Sequence, residues 1–385
     1  MRRIWIFFFG VLVTFLSLIF QTSGIEQKNK VQKKIKETKH TEQWSKRKPL
    51  VGYLKDGKWH FLDNKGNLLF EPLELLDVLG YNEGYFRVNI EFNKKPKWAI
   101  IDLFGNITVI DGINYLFDFY NGRALVVKLI KKVKEGDTNS TNEQLFGYIN
   151  YQGKLVIPLI YEDATEFSEG LAFVKNKEIR GFIDTNNNLI IKMENSAGNK
   201  FKEGLADIND RQFRIGFMNK KGEIVVPLEF DLLEHFSEGL AFAIKGDKAG
   251  FINKKGEFEF FVDGYTSKPF SDSMAFIGKL IKQKIKWALI NRKGEKITDF
   301  IFDDVREFSE GVAPVMKDGR YFFIDKTGAE ILHNDYYYVD KFIDSLAWAS
   351  LRNGQRGYID HSGKFVITVP EAEKYFDFRL KRKVY

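Results

Sequence analysis

Five histidines, His40, His60, His235, His333 and His361, are the first places to look for chemistry in this chain. No two of them stand at a metal-ligand spacing, and no cysteine is present to supply a thiolate. The string Asp184-x-Asn186-x-Asn188 opens like a calcium loop, which needs glycine at its sixth position and a bidentate glutamate at its twelfth. Leu189 and Asn195 stand there instead, so the string reads as a turn. Asp303 and Asp304 are adjacent, and in a strand adjacent side chains leave opposite faces, which separates them as an acid and base pair. No serine lies in a nucleophile elbow, and no glycine-rich loop matches a phosphate cradle. The expectation is therefore a protein that is not an enzyme, with no catalytic, metal or cofactor-binding residues.

What the chain does contain is punctuation. Asp or Asn stands at positions 63, 102, 150, 184, 219, 253, 291, 325 and 360. Three residues after each comes Gly66, Gly105, Gly153, Asn187, Gly222, Gly256, Gly294, Gly328 or Gly363. An Asx side chain can bond the backbone ahead of it, and glycine takes the left-handed conformation that re-enters a strand. Asn is the mildest non-glycine substitute there, so Asn187→Gly is expected to be neutral or stabilising. Recurrence at about 35 residues marks a repeat architecture.

Two further signals ride on the same period. Phe167-Ser-Glu-Gly-Leu-Ala-Phe-Val174, Phe236-Ser-Glu-Gly-Leu-Ala-Phe-Ala243 and Phe308-Ser-Glu-Gly-Val-Ala-Pro-Val315 share a step and a strand, and alanine recurs in that strand at 124, 172, 206, 241, 275, 313 and 347. Gly181-Phe-Ile-Asp184, Gly216-Phe-Met-Asn219, Gly250-Phe-Ile-Asn253 and Gly357-Tyr-Ile-Asp360 lead into the turns. The repeated small residues imply a line where backbones or aromatic rings approach closely. Residues 50–385 resemble the bacterial WG or KWG repeat family, whose units carry Trp-Gly before Phe/Tyr-Ile-Asp, a Lys-x-Gly turn, an Ile-Pro strand and a Phe-Ser-Glu-Gly step. Here Trp59, Trp98 and Trp287 are followed by His60, Ala99 and Ala288, so tryptophan and glycine never occur together. The resemblance implies a β-rich repeat and little about activity.

The expected fold is all-β: a tandem array of nine β-hairpin or three-stranded units over residues 50–385, open, curved and solenoid-like, with atypical end copies as caps. A closed β-propeller is the alternative. Nine units exceed the usual four to eight blades, which favours the open form.

Residues 4–20 form an uncharged apolar run behind Arg2 and Arg3, intermediate between a signal peptide and a full membrane span. Residues 1–24 are read as a signal peptide or membrane anchor, and residues 25–49 as a basic flexible tether. Export to the cell envelope, periplasm or surface, or anchoring through residues 4–20, follows from that reading. The first 49 residues carry a balance of +8, so the whole chain's +7 leaves −1 for residues 50–385. A nearly neutral array gives no support for nucleic-acid binding.

Within the array, charge is sorted. Acids recur in the Phe-x-x-Gly step at Glu83, Glu169, Glu203, Glu238, Asp272, Glu310 and Asp344, and cations recur in the loops between the next two strands. Insertions at residues 129–145 and 279–286 lengthen two of the basic loops, and insertions in repeat proteins often mark the binding face. The candidate contact rim is Lys131, Lys132, Lys134, Lys282, Lys284, Lys286, Lys317 and Arg320. The expected function is a non-enzymatic binding scaffold for an acidic protein or envelope polymer, with the membrane as a further partner through an uncleaved N-terminal segment. A polysaccharide-acting hydrolase on the same scaffold is the alternative.

Overall fold

The computed structural model describes residues 48–133, 140–194, 197–210 and 212–384, and the chain divides into Met1–Pro49 and Leu50–Tyr385. Residues 1–47, Lys134, Asn195 and the side chains of Lys132 and His333 lie outside the described residues. So do the signal or anchor, nearly all of the tether, His40 and the centre of the 129–145 insertion. Among the described residues every regular element is a strand, and every ladder is antiparallel.

The recurrent turn forms at all nine positions. The amide of the fourth residue donates to the Asx carbonyl at 2.9 to 3.1 Å, and that fourth residue has φ between 70° and 85° throughout, Asn187 included. The Asx side chain does the rest. At Asp184, Oδ1 accepts the amides of Asn186 and Asn188 at 2.9 and 2.8 Å, and at Asn253 the same oxygen accepts those of Lys255 and Glu257 at 2.9 and 3.2 Å. An amide oxygen and a carboxylate oxygen serve equally here, which is why both residue types occupy the position.

Each typical sheet has four strands rather than the expected two or three. In one, Asp163–Ala164, Leu171–Lys175, Arg180–Asp184 and Leu189–Lys192 pair in sequence order. The unexpected member is the first. Its ladder is only two residues long, too short for any period-two apolar pattern, and Phe167-Ser-Glu-Gly links it to the next strand. Glu169 and Gly170 have φ of 51° and 88°, and Ser168 and Leu171 exchange two hydrogen bonds, the geometry of a two-residue type I′ hairpin turn.

The repeated glycine before Phe-Ile-Asp answers to the outermost strand. A Cβ on Gly181 would sit 1.9 Å from the carbonyl oxygen of Ile191, and on Gly250 2.3 Å from that of Phe260. These outer strands are bulged against their neighbours. Where Ala99 follows Trp98, the outer ladder runs without a bulge from Trp98↔Ile110 to Ile101↔Ile107, and the methyl group is accommodated. The alanines of the second strand, from Ala124 to Ala347, are all essentially inaccessible. Cores lie between successive sheets: Leu171, Phe173 and Phe182 of one pack with Phe201, Ala206 and Met218 of the next, and the rings of Phe182 and Phe201 meet edge-on at 4.9 Å.

The two ends of the array meet in one sheet, which the expectation of free end caps did not include. Pro49–Lys55 and Lys58–Asp63 share one sheet with Lys374–Asp377 and Arg382–Val384, in register from Val51↔Asp377 to Leu54↔Lys374. Each sheet keeps two edges, but the succession of sheets returns to its start. Leu54, Trp59 and Phe61 pack with Phe86 and Ile101 of the sheet that follows, while Val51 and Tyr375 pack with Trp348 and Tyr358 of the one that precedes. The C-terminal strand supplies the inner position that the N-terminal unit lacks. That position is only two residues long in several units, Asp163–Ala164, Ala197–Gly198, Leu232–Leu233 and Asp304–Val305 among them, too few to carry a periodic signal.

Candidate functional site

The two charged rims behave differently. On the acidic side Glu83, Glu169, Glu203, Glu238, Asp272 and Glu310 are committed to the neighbouring sheet. Glu83 accepts the amides of Asn121 and Gly122 at 2.7 and 2.9 Å, Asp272 accepts Gly311 at 2.7 Å, and Glu310 accepts Ser345 at 3.0 and 3.1 Å. Many of these acids also meet a residue from a recurrent Asx turn: Lys220 lies 3.0 Å from Glu169, Lys254 3.1 Å from Glu203, and His361 2.8 Å from Glu310. Burial pushes the Glu169 carboxyl up, but Lys220 and the Gly204 amide outweigh it and hold the group below the ordinary glutamate value. This rim is a stitching line between sheets. His361 completes it by stacking on Phe342 at 4.0 Å, while His60 stacks on Tyr53 at 4.7 Å.

On the opposite rim the candidate residues separate by partner. Lys286 pairs with Asp303 at 2.6 Å, and Arg320 grips Glu330 through two bonds of 2.7 and 2.9 Å. Lys131, Lys282, Lys284 and Lys317 are exposed. Lys282 sits at the tip of a hairpin, with φ of 49° at Lys282 and 64° at Gln283. Three hairpins reach further than the rest: Tyr85–Phe92 with Lys95–Asp102, Arg123–Val133 with Ser140–Ile149, and Met274–Ile281 with Lys284–Asn291. Apolar side chains are exposed among the cations on two of them, with Phe92 at 45%, Leu280 at 57% and Ile285 at 41%. Sequence reasoning placed the lysines and missed these apolar companions.

A third feature was not anticipated. The short inner segments of successive units carry residues 268, 305–307, 340–343 and 379–382, and together they line a cavity of about 490 Å³. Five cations, Lys268, Arg306, Lys341, Arg379 and Arg382, face two carboxylates there, Glu307 and Asp340. Arg306 donates to Asp304 at 2.7 Å; its burial opposes the charge, but Asp304 holds its pKa above the usual arginine value. Tyr338 donates to Asp340 at 2.8 Å, and Arg382 also pairs with that carboxylate. Burial, with Asp340 next, pushes the Tyr338 phenol up to about 12, so it stays a donor at neutral pH. The signal in sequence is faint: a cation adjoins Phe201, Phe342 and Phe378, at Lys200, Lys341 and Arg379, and another, Lys268, stands two residues before Phe270.

Asp184, Asn186 and Asn188 make the common turn, with Asp184 Oδ2 also accepting the Asn188 side chain at 2.9 Å. Among the described residues no group of three or more His, Cys, Asp or Glu side chains could hold a metal ion, and no helix is long and apolar enough to cross a membrane.

Residues 146–178, 215–248 and 287–321 each match the family described as WG containing repeat. Each matched stretch begins in the third strand of one sheet and ends at or beyond the second strand of the next. No curated protein matches the chain. Among solved structures, BamB from Moraxella catarrhalis is 10% identical, with 80% of this chain and 89% of that one covered and a TM-score of 0.39. Prolyl oligopeptidase B from Galerina marginata is 11% identical over 75% of this chain and 57% of that one, with a TM-score of 0.35. The acylaminoacyl peptidase of Pyrococcus horikoshii is 12% identical over 77% and 57%, with a TM-score of 0.34.

Proposed function

We propose that this chain, a protein of WG-type repeats, is a non-enzymatic binding scaffold: a closed ring of nine β-sheet units that contacts an acidic protein or envelope polymer through its basic hairpin rim. The nine Asx turns supply the unit count, with the seven-stranded sheet at residues 304–368 counted as two units sharing Glu330–Val339. The pairing of Val51 with Asp377 supports closure. Residues 1–24 serve as export signal or membrane anchor and residues 25–49 as tether, placing the scaffold in the cell envelope.

The observation that carries the reading is the mixed character of the long hairpin tips. Lys282, with no carboxylate in salt-bridge reach among the described residues, stands at the tip of a hairpin whose Leu280, Ile281 and Ile285 are exposed, and Lys317 is exposed on the hairpin that follows. Cations steer an acidic partner and fix its orientation, and apolar side chains beside them supply the buried area that holds it. Lys131 and Lys284 extend the same surface; Lys286 and Arg320, tied to carboxylates, contribute less.

The test uses immobilised poly-glutamate as the acidic probe. Retention of the full chain should fall with rising salt, because exposed charges are screened within about 8 Å at physiological ionic strength. Changing Lys282, Lys284 and Lys317 together to Glu should abolish retention without lowering the melting temperature, while Glu169→Gln with Glu238→Gln should leave retention intact. Equal retention of wild type and the triple reversal overturns the rim as a contact surface. For localisation, recovery of the intact chain in the soluble cytoplasmic fraction overturns both forms of membrane targeting.

A further inference from the structure

The inner cavity has more positive charge and more unspent donors than its own structure uses. Of its five cations, Lys341 is matched by Glu307, Arg382 by Asp340, and Arg306 by Asp304 behind the wall. Lys268 has no carboxylate in salt-bridge reach among the described residues, although Glu234 lies near enough to feel its charge. Its ammonium lies 5.3 Å from the centre of the Trp287 ring, and the nearby Glu234 carboxyl is engaged by the Ser267 hydroxyl at 3.0 Å. Burial pushes the Glu234 carboxyl up, against the Ser267 hydroxyl and the Lys268 charge. Arg379 is nine-tenths buried, and its only carboxylate, Asp377, stands 3.7 Å away and is already bonded to Tyr358 and two backbone amides.

Two nitrogens make the point sharper. Nε of Arg306 and Nε of Arg379 are both buried with no hydrogen-bond partner, although both residues line the cavity. A buried guanidinium N–H left unbonded costs on the order of 1 to 3 kcal/mol, so an oxygen acceptor that drew either nitrogen toward the cavity would recover that cost. Guanidinium forks suit the planar or tetrahedral oxygen arrays of carboxylates and phosphates. Rigid flanking strands from four successive units hold these donors, so binding need not pay for ordering them.

We propose that this cavity binds a small oxyanion of at least two negative charges, carboxylate or phosphate in type, held by Lys268, Arg306 and Arg379. The site uses none of the hairpin-rim residues, so it stands or falls independently of the scaffold contact.

The experiment is calorimetric titration of the full chain in detergent with citrate and with inorganic pyrophosphate, at constant ionic strength and with chloride as the competing anion. Saturable binding of one equivalent of either is expected, and which of the two binds more tightly identifies the carboxylate or phosphate class. Lys268→Gln should weaken binding by about tenfold, the scale of one lost charge-assisted bond. This variant breaks no ion pair, so it should fold. Lys317→Gln, the same charge change on the outer rim, should leave the affinity unchanged. Absence of saturable heat with both anions overturns the proposal, as does equal weakening by the two variants, which would reduce the effect to net charge.

Discussion

The Tyr358 hydroxyl donates to Asp377 Oδ2 at 2.8 Å, and both residues are fully buried where the two ends of the array meet. The same hydroxyl lies 3.3 Å from the carbonyl oxygen of Leu50, so one side chain touches the first strand and the last but one. Asp377 also accepts the amides of Arg379 and Leu380 at 2.8 and 2.9 Å. Strand pairing between distant parts of the chain must offset the loop entropy of joining them, and here a buried polar cluster fixes the register.

Tyr358→Phe should therefore destabilise the array by about 1 to 3 kcal/mol, since it leaves a buried carboxylate short of a donor while preserving the ring's shape. Thermal unfolding followed by near-ultraviolet circular dichroism reads this out, because Trp348 packs edge-on against Tyr358 at 5.3 Å. An unchanged melting temperature would mean the cluster is not part of what closes the ring.

Gly222→Val should cost about 1 to 2 kcal/mol or more, because a β-branched residue is poorly tolerated at the φ of 83° found there. A new Cβ would also stand 3.0 Å from Ile191 Cγ2 on the preceding sheet. Asn187→Gly looks neutral from the turn alone, but its Oδ1 accepts the hydroxyl of buried Tyr161 at 2.6 Å. Its loss should destabilise by about 1 kcal/mol. Chemical denaturation of both variants checks the pair; a stabilised Asn187→Gly would show that the Tyr161 bond contributes nothing net.

Much of the turn chemistry was legible because it is local: Asx at one position and Gly three residues on dictate a geometry whatever surrounds them. The inner strand was not. Asp163–Ala164 or Asp304–Val305 forms only because the next strand and the neighbouring sheet hold it, and two residues carry no periodic pattern. The pairing of the two ends escaped for the same reason, since Lys374–Asp377 is an inner strand whose partner lies more than 300 residues earlier. The rim cations, read as loop residues, lie mostly within hairpin strands, Lys284 and Lys286 in Lys284–Asn291 and Lys317 in Val312–Lys317, and which of them are neutralised depended on acids such as Asp303 and Glu330 that only the fold brings alongside. The inner cavity needed four units to be assembled before its cations met.

Acid should destabilise the array through the aspartate-opened turns. The bond from the Asn188 side chain holds Asp184 below its ordinary value, as the hydroxyls of Thr327 and Ser362 do for Asp325 and Asp360. A carboxyl whose folded pKa is depressed contributes stability that is present above its unfolded value and lost as pH falls through the folded one. The loss should therefore begin near pH 3.8, the unreacted aspartate value, and continue below it. Changing all three to Asn, the residue that opens four of the other turns with the same bonds, should flatten the dependence of the urea midpoint on pH in that range. An unaltered slope would assign the acid sensitivity to other groups.

The glycine before Phe-Ile-Asp offers the sharpest contrast between units. Gly181→Ala should be severely destabilising, because its methyl group would fall 1.9 Å from the Ile191 carbonyl oxygen and φ there is already 154°. Backbone cannot yield as a flexible side-chain tip can, so the outer strand must detach, exposing Ile191 and the inter-sheet core it closes with Phe182 and Phe201. Burial of one such side chain contributes about 1.5 to 3 kcal/mol, which sets the scale of the loss. Ala99→Gly, the reverse change in a unit whose outer ladder is regular, should cost only about 0.5 to 1 kcal/mol of strand propensity. Hydrogen exchange of the Leu189–Lys192 and Ile107–Ile110 amides distinguishes the two: protection should collapse in the first variant and persist in the second. Comparable protection in both would mean that the bulged strand tolerates a side chain, and that glycine at this position has some other cause.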